Sequence, residues 1–129
     1  MKTLHTIAVS LLICTAAGAA DSPRQRQNID FDWRFHLGDA PAASAPGFAD
    51  GSWRLLDVPH DFSAEGEFAR TNASGTAYLP GGVAWYRKAV VVPADWRNKL
   101  VSVEFDGVSM NSKVWINGHL LGKRMRNRR

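Results

Sequence analysis

This 129-residue sequence predicts an all-β fold, and three observations favour that class. Short β-rich runs recur at roughly the 8–12-residue spacing that is typical of β-sandwiches. No segment after the first twenty residues sustains the 3.6-residue apolar period of an amphipathic helix. Tryptophan occurs five times, and indole rings supply large buried areas to a sheet core. We therefore expect a single domain built from short strands.

Two strands and a long loop are predicted in the middle of the chain. Residues 52–58 (SWRLLDV) form a short strand that Pro59 ends. Residues 83–92 (VAWYRKAVVV) are rich in β-branched and aromatic side chains, and Pro93 follows them. Residues 59–82 between them contain many turn formers and no periodicity. A loop of that length is typical of functional or interface-forming segments.

A further strand and a hairpin are predicted near the end of the chain. Apolar and polar residues alternate over residues 100–105, which places the apolar ones on one face. Asn117-Gly118 supplies the two positive-φ residues of a type I′ turn between residues 114–116 and 119–121. We expect one shared core face, formed by Val101, Val103, Phe105, Val114 and Ile116.

The first twenty residues are interpreted as a secretory signal peptide. Lys2 gives a basic start, residues 7–17 form an apolar run too short to span a bilayer, and residues 17–19 (AGA) suit cleavage. An uncleaved anchor is the alternative. A lipid-anchored Cys14 is disfavoured because Ile13 stands where a small residue is required. We expect a periplasmic or secreted protein with no membrane partner after cleavage.

Charge and cysteine content argue against a disulfide-stabilised domain and against a nucleic-acid-binding protein. Cys14 is the only cysteine, so residues 21–122 form a domain that has no disulfide and depends on its core. Those residues carry ten Lys/Arg and twelve Asp/Glu. The basic excess lies in residues 123–129, which hold five positive charges and are predicted to be an unstructured tail. A short basic tail alone does not indicate nucleic-acid binding, so no nucleic-acid partner is expected.

The polar residues predict no catalytic site. Glu65 and Glu67 are the closest acidic pair in a polar loop, but catalysis by paired carboxylates needs rigid support at about 5–10 Å separation. His60-Asp61 would be a base with its orienting acid, yet adjacent side chains rarely adopt triad geometry. His36, His60 and His119 lack metal-ligand spacing, so we expect neither a metal nor a cofactor.

Two other short motifs give only weak evidence for a function. Gly81-Gly82 lacks the Lys-Ser/Thr and the helix of a phosphate-binding loop, and is interpreted as a flexible entry into the next strand. Asn72-Ala73-Ser74 fits an N-glycosylation acceptor, which matters only in a eukaryotic secretory route.

Four blocks taken together resemble a known family. They are FDWRFHLGD (31–39), DGSWRLLDVPHDFSAEG (50–66), LPGGVAWYRKAVVVP (79–93) and VEFDGVSMNSKVWINGHLLGKR (103–124). Their order and spacing resemble the start of glycoside hydrolase family 2 proteins, most of all secreted bacterial β-galactosidase-like members. The resemblance covers residues 29–124.

This resemblance implies a jelly-roll β-sandwich of the galactose-binding-like class, the family's N-terminal sugar-binding domain. It implies two partners, a β-glycoside carbohydrate and the catalytic domains of the same enzyme. In the family both catalytic glutamates belong to a later (β/α)₈ barrel, and no stretch of this chain matches those motifs. No catalytic residue is therefore carried over, and the sugar-binding residues stay unknown. The family also contains β-glucuronidases and β-mannosidases, so the glycone stays open.

The end of the chain departs from the family pattern. Family members continue after NGHLLGKR with a proline- and aromatic-rich segment and further strands, whereas MRNRR follows here. We expect a sandwich that is incomplete at its C-terminus because of a frameshift or an early stop, and that is marginally stable. The alternatives are a free-standing carbohydrate-binding module and a fragment that complements a separately encoded remainder.

Overall fold

The computed structural model describes residues 24–109 and 111–124. Within these ranges the chain forms five strands and four short 3₁₀ helices, so the predicted all-β class is confirmed. The predicted signal peptide, residues 1–20, lies outside the described residues. The strands are β1 (Trp33–Leu37), β2 (Arg54–Leu56), β3 (Ala84–Arg87), β4 (Ser112–Ile116) and β5 (His119–Arg124). The 3₁₀ helices are Pro41–Ser44, Phe62–Glu65, Ser74–Thr76 and Ala94–Trp96.

Strands β2, β1 and β3 form an antiparallel sheet with β1 in the centre. Apolar periodicity did not predict β1, whereas β2 lies inside the predicted strand at residues 52–58. Strand β3 covers only part of the predicted residues 83–92, because its partner begins at Trp33. Asp32, just before that partner, has a positive φ of 57° that turns the backbone out of the ladder.

Strands β4 and β5 form the predicted hairpin. Asn117 and Gly118 have φ values of 50° and 83°, which confirms the positive-φ turn. Lys123 and Arg124 pair with residues 113 and 112, so the prediction of an unstructured tail is wrong for these two residues. Residues 125–129 of that tail lie outside the described residues.

The predicted strand at residues 100–105 is not formed. No described strand runs alongside it, and extended backbone without a ladder partner does not make a sheet. Phe105 is 47% exposed, Val101 and Val103 are each 45% exposed, and Ile116 is also exposed. The prediction of one shared core face for these side chains is therefore wrong. Glu104 is exposed as well and pairs with Arg26 at 3.4 Å.

The buried side chains lie on both faces of the three-stranded sheet, because Phe35 and His36, which stacks on Trp53, are successive residues of β1 and point to opposite faces. Phe35, Ala43 and Trp53 are the buried apolar residues of the described part of the chain. Arg87 fixes the small-residue loop before β2 to this core. Its Nε donates to an Asp50 carboxylate oxygen at 2.9 Å, and its Nη1 donates to the carbonyls of Ala43 and Ala45.

One aromatic pair connects the two sheets. The indole of Trp85 on β3 stacks on that of Trp115 on β4, with ring centroids 5.1 Å apart and an interplanar angle of 22°. Across residues 24–109 and 111–124, no helix is both long and apolar enough to span a membrane.

Candidate functional site

Four polar side chains meet where the long loop at residues 59–82 leaves β2. We call them the loop-base cluster: Arg54, His60, Glu65 and Tyr86. Arg54 opens β2, Tyr86 lies on β3, and Glu65 ends the 3₁₀ helix at Phe62–Glu65. Phe35 on the central strand pairs with Arg54 on one side and with Tyr86 on the other. Residues opposite one another across a sheet share a face, so the register itself brings these two side chains together.

Short hydrogen bonds connect the members of the cluster. Nη2 of Arg54 donates to Oε1 of Glu65 at 2.7 Å, and Nε2 of His60 lies 3.0 Å from the same oxygen. Nδ1 of His60 lies 2.8 Å from the Tyr86 hydroxyl. Oε2 of Glu65 makes no hydrogen bond to the described residues, so one carboxylate oxygen is fixed while the other stays available.

Nε2 of His60 lies between a donor and an acceptor. It is 2.9 Å from Nη2 of Arg54, which can only donate, and 3.0 Å from Oε1 of Glu65, which can only accept while ionised. One imidazole tautomer accepts from Arg54 and the other donates to Glu65, and the Tyr86 hydroxyl can complement Nδ1 in either case. Oε1 therefore accepts from Arg54 and lies beside the His60 ring.

The cluster shifts the protonation equilibria of its acidic members. The hydrogen bond from Arg54, followed by that from His60, lowers the pKa of Glu65 to about 2. Burial, followed by the charges of Asp61 and Glu65, raises the pKa of the Tyr86 hydroxyl. At neutral pH the site therefore presents an ionised carboxylate beside a neutral phenol.

The buried ring of Phe35 supports the cluster from below. The His60 ring meets it edge-on at 4.8 Å, and the Tyr86 ring lies 5.1 Å away. The Arg54 guanidinium carbon lies 5.0 Å from the Phe35 centroid, over the ring face. Because the site rests on a strand residue, its side chains are held more firmly than loop side chains alone would be.

A cleft of about 210 Å³ opens beside the cluster. We call it the loop cleft. Its walls are mostly apolar, and Glu65 provides the charged group among them. The lining residues are Phe35, Leu37, Phe62, Glu65, Gly66, Pro80 and Gly81.

The two ends of the long loop touch beside this cleft. A Cβ at Gly66 would lie 2.1 Å from Cγ of Pro80, which is far inside van der Waals contact. Only glycine allows this approach, so Gly66 sets the spacing between the cleft walls.

Glu65 does not suit the role of a general acid. A general acid needs a carboxyl with a raised pKa, whereas the pKa of Glu65 is lowered. Glu67 is exposed and has no ion pair with the described residues. The described ranges also contain no group of three His, Cys, Asp or Glu side chains that could hold a metal ion.

Other residues considered from the sequence have structural surroundings. Asp61 caps the 3₁₀ helix by accepting a 2.9 Å hydrogen bond from the Ser63 amide. His36 stacks on Trp53 at 5.0 Å, and His119 is exposed on β5. Nδ2 of Asn72 donates to the carbonyl of Tyr78 at 3.1 Å. Gly81-Gly82 leads into β3.

Sequence analysis considers His60 and Glu65 but assigns neither to a site, and it does not consider Arg54 or Tyr86 as site residues. Arg54 was interpreted only as part of a strand, and Tyr86 as a strand residue with an aromatic side chain. The signal that would have found them is the strand register, which requires β1 to be recognised as the central strand.

Comparison with known proteins gives no matching family model, but it gives close relatives. The chain is 55% identical over 105 residues to the β-galactosidase BoGH2A of Bacteroides ovatus, which covers 80% of this chain and 12% of that protein. It is 39% identical over 116 residues to a putative β-glucuronidase of Formosa agariphila, covering 88% of this chain and 11% of the relative.

Solved structures give the same result. A β-glycosidase from Bacteroides vulgatus superposes with a TM-score of 0.72 at 45% identity, over 77% of this chain and 13% of the other. A glycosyl hydrolase family 2 member from Bacteroides cellulosilyticus superposes with a TM-score of 0.66 at 34% identity, over 78% and 14%.

The chain thus spans about an eighth of the length of the relatives it matches. The match extends over most of the chain in both sequence and fold. The chain therefore belongs to glycoside hydrolase family 2, as a fragment of a family glycosidase.

Proposed function

We propose that this chain is the non-catalytic, N-terminal sugar-binding domain of a family 2 β-glycosidase of the β-galactosidase-like type. The observation that carries the proposal is the 55% identity to a β-galactosidase over a stretch that makes up only 12% of that enzyme. The proposed partners are a β-glycoside carbohydrate and the catalytic domains of the same enzyme. No cofactor is required.

The reaction proposed for the whole protein is retaining hydrolysis of a terminal sugar. One carboxylate attacks the anomeric carbon and a second carboxyl acts first as acid and then as base. The geometry of Glu65 and Glu67 supports placing both groups outside this chain. Glu65 is bound by Arg54 and His60, and no described residue supports Glu67.

The first part of the chain supports a proposed location. Residues 1–20 are proposed to be a signal peptide that sends the protein to the periplasm or the exterior, on the strength of the apolar run at residues 7–17. The sugar-binding domain is proposed to begin at residue 21. It extends past residue 122, because β5 continues to Arg124.

A domain exchange tests the proposal. The matching 105-residue stretch of the Bacteroides ovatus β-galactosidase is replaced by the corresponding residues of this chain. We expect the chimaera to fold and to hydrolyse a chromogenic β-galactoside. The unmodified enzyme and the enzyme lacking the stretch are the controls. A folded chimaera that has no activity would contradict the proposed role.

A complementing fragment is the second candidate, and exposed apolar side chains favour it. Val91 is 86% exposed and Leu100 is 99% exposed, so this surface suits coverage by further polypeptide. Mixing this chain with the relative's enzyme that lacks the stretch should restore activity under this alternative. Activity of the covalent chimaera alone would favour the single-chain proposal.

A further inference from the structure

We infer that the loop cleft binds a single neutral sugar ring, with Oε2 of Glu65 accepting hydrogen bonds from its hydroxyl groups. This inference takes only the class of ligand, a sugar, from the proposed function. The cleft, its charge and its support are properties of the described residues.

The first argument is the state of the Glu65 carboxylate. Oε1 accepts from Arg54 at 2.7 Å and lies 3.0 Å from Nε2 of His60, whereas Oε2 makes no hydrogen bond to the described residues. The carboxylate is therefore oriented before any ligand arrives, and its second oxygen is free to accept. Hydrogen bonds from hydroxyl groups to an ionised acceptor are stronger than those between neutral groups.

The second argument is the shape and lining of the cleft. Small-molecule sites are concave, mostly apolar and equipped with a few polar groups that fix orientation. Leu37, Phe62 and Pro80 provide apolar walls against the carbon–hydrogen face of a ring, and Glu65 provides the polar group. At about 210 Å³ the cleft is smaller than the roughly 300–1,000 Å³ of drug-sized sites, which suits one ring and not a chain of several.

The third argument is charge, which discriminates between possible sugars. The positive charge of Arg54 is already paired with Glu65 at 2.7 Å, and Asp61 adds a second negative charge close to the cluster. An anionic sugar such as a glucuronide would bring its own carboxylate toward this net negative site. A neutral sugar such as a galactoside meets no such repulsion.

The experiment uses the full chain and two probes, methyl β-galactoside and methyl β-glucuronide. Amide chemical shifts are followed by NMR during titration. We expect the galactoside to shift residues 62–66 and 80–81. We expect the glucuronide to bind at least tenfold more weakly.

Two variants and a matched control locate the site. Glu65→Gln should weaken galactoside binding at least tenfold, whereas Glu67→Gln, two residues away on the same loop, should leave it unchanged. Because Glu65→Gln also alters the bonds to Arg54 and His60, Leu37→Ala provides a second variant. Leu37 is 57% exposed, so its truncation should weaken binding several-fold while the urea unfolding curve stays the same.

Several results would overturn the inference. One is the absence of chemical-shift changes at residues 62–66 and 80–81, or changes confined to other residues. Another is galactoside binding by the Glu65→Gln and Leu37→Ala variants that is as tight as binding by the parent chain. A third is tighter binding of the glucuronide than of the galactoside. Free galactose released by the chain during the titration would instead count against the non-catalytic role. The two proposals therefore fail in different ways.

Discussion

Oε1 of Glu65 lies within hydrogen-bonding distance of both the Arg54 guanidinium and the His60 ring, close to solvent. The arrangement orients the carboxylate and keeps it ionised. It also makes the stability of the fold depend on pH, because the folded and unfolded chains bind protons differently.

Glu65 gives a test of this dependence. Its folded pKa of about 2 lies below the ordinary value of 4.5, so the contacts stabilise the fold above about pH 4.5. That contribution is lost as the pH falls from 4.5 toward 2. We expect Glu65→Gln to flatten the dependence of urea unfolding on pH over this window, whereas Glu67→Gln keeps it.

Salt provides the internal control for this prediction. The carboxylate is exposed, so high salt should weaken the pH dependence of the parent chain and leave the Glu65→Gln variant largely unaffected. Identical pH profiles for the parent and Glu65→Gln would show that these contacts do not stabilise the fold.

At the scale of elements, the hairpin and the segment at residues 100–105 show what local sequence can predict. Asn117-Gly118 specifies its turn through backbone preference alone, and the structure has that turn. The alternation at residues 100–105 is equally clear, but a strand also needs a partner, which no described strand provides. Partner choice is a property of the whole sheet and cannot be read from one segment.

The candidate site likewise combines residues that a local segment of sequence points to with residues that only the pairing of the strands brings in. His60 and Glu65 lie in a polar loop of unusual length, so sequence analysis considers them, although it assigns neither of them a role. Arg54 and Tyr86 lie in strands and join the site only through their pairing with Phe35. Cross-strand neighbours far apart in sequence follow from register, which periodicity at a single strand does not determine.

Gly118 tests the turn of the hairpin. Gly118→Ala places a Cβ on a residue with a φ of 83°, 3.3 Å from Cδ of Pro46. We expect a loss of about 1–2 kcal/mol in the free energy of unfolding from the left-handed conformation. Gly107→Ala is the matched control, because its Cβ would meet nothing within 4 Å. Equal unfolding curves for the two variants would contradict the turn assignment.

At the scale of the whole molecule, the core is small. Trp53 is 9% exposed and packs between His36 and Phe48, whereas Phe105 is 47% exposed. We expect Trp53→Ala to cost about 3–5 kcal/mol and Phe105→Ala about 1 kcal/mol or less. Chemical denaturation of both variants measures the difference. A larger loss for Phe105→Ala would restore the predicted core face at residues 100–105.

Exposed apolar side chains lead to a prediction about association. Large apolar residues are exposed at positions 90–92 and 100–105, and no further strand of residues 24–109 and 111–124 pairs with the outer strands of either sheet. Such surfaces promote pairing with other chains. We expect the purified chain to bind a dye specific for apolar surface and to sediment faster as its concentration rises. A monomer at all concentrations with negligible dye binding would instead favour an independently folding carbohydrate-binding module.

The central claim is that this chain is a fragment of a family 2 glycosidase, and it carries the prediction that the chain alone does not hydrolyse a β-glycoside. The most direct measurement is turnover of a chromogenic β-galactoside by the purified chain, beside Glu65→Gln and Glu67→Gln. The account predicts no turnover above the buffer rate for any of the three, because Glu65 is ionised and bound while Glu67 has no support. Turnover by the parent chain that either substitution abolishes would contradict it and would make this loop a catalytic site.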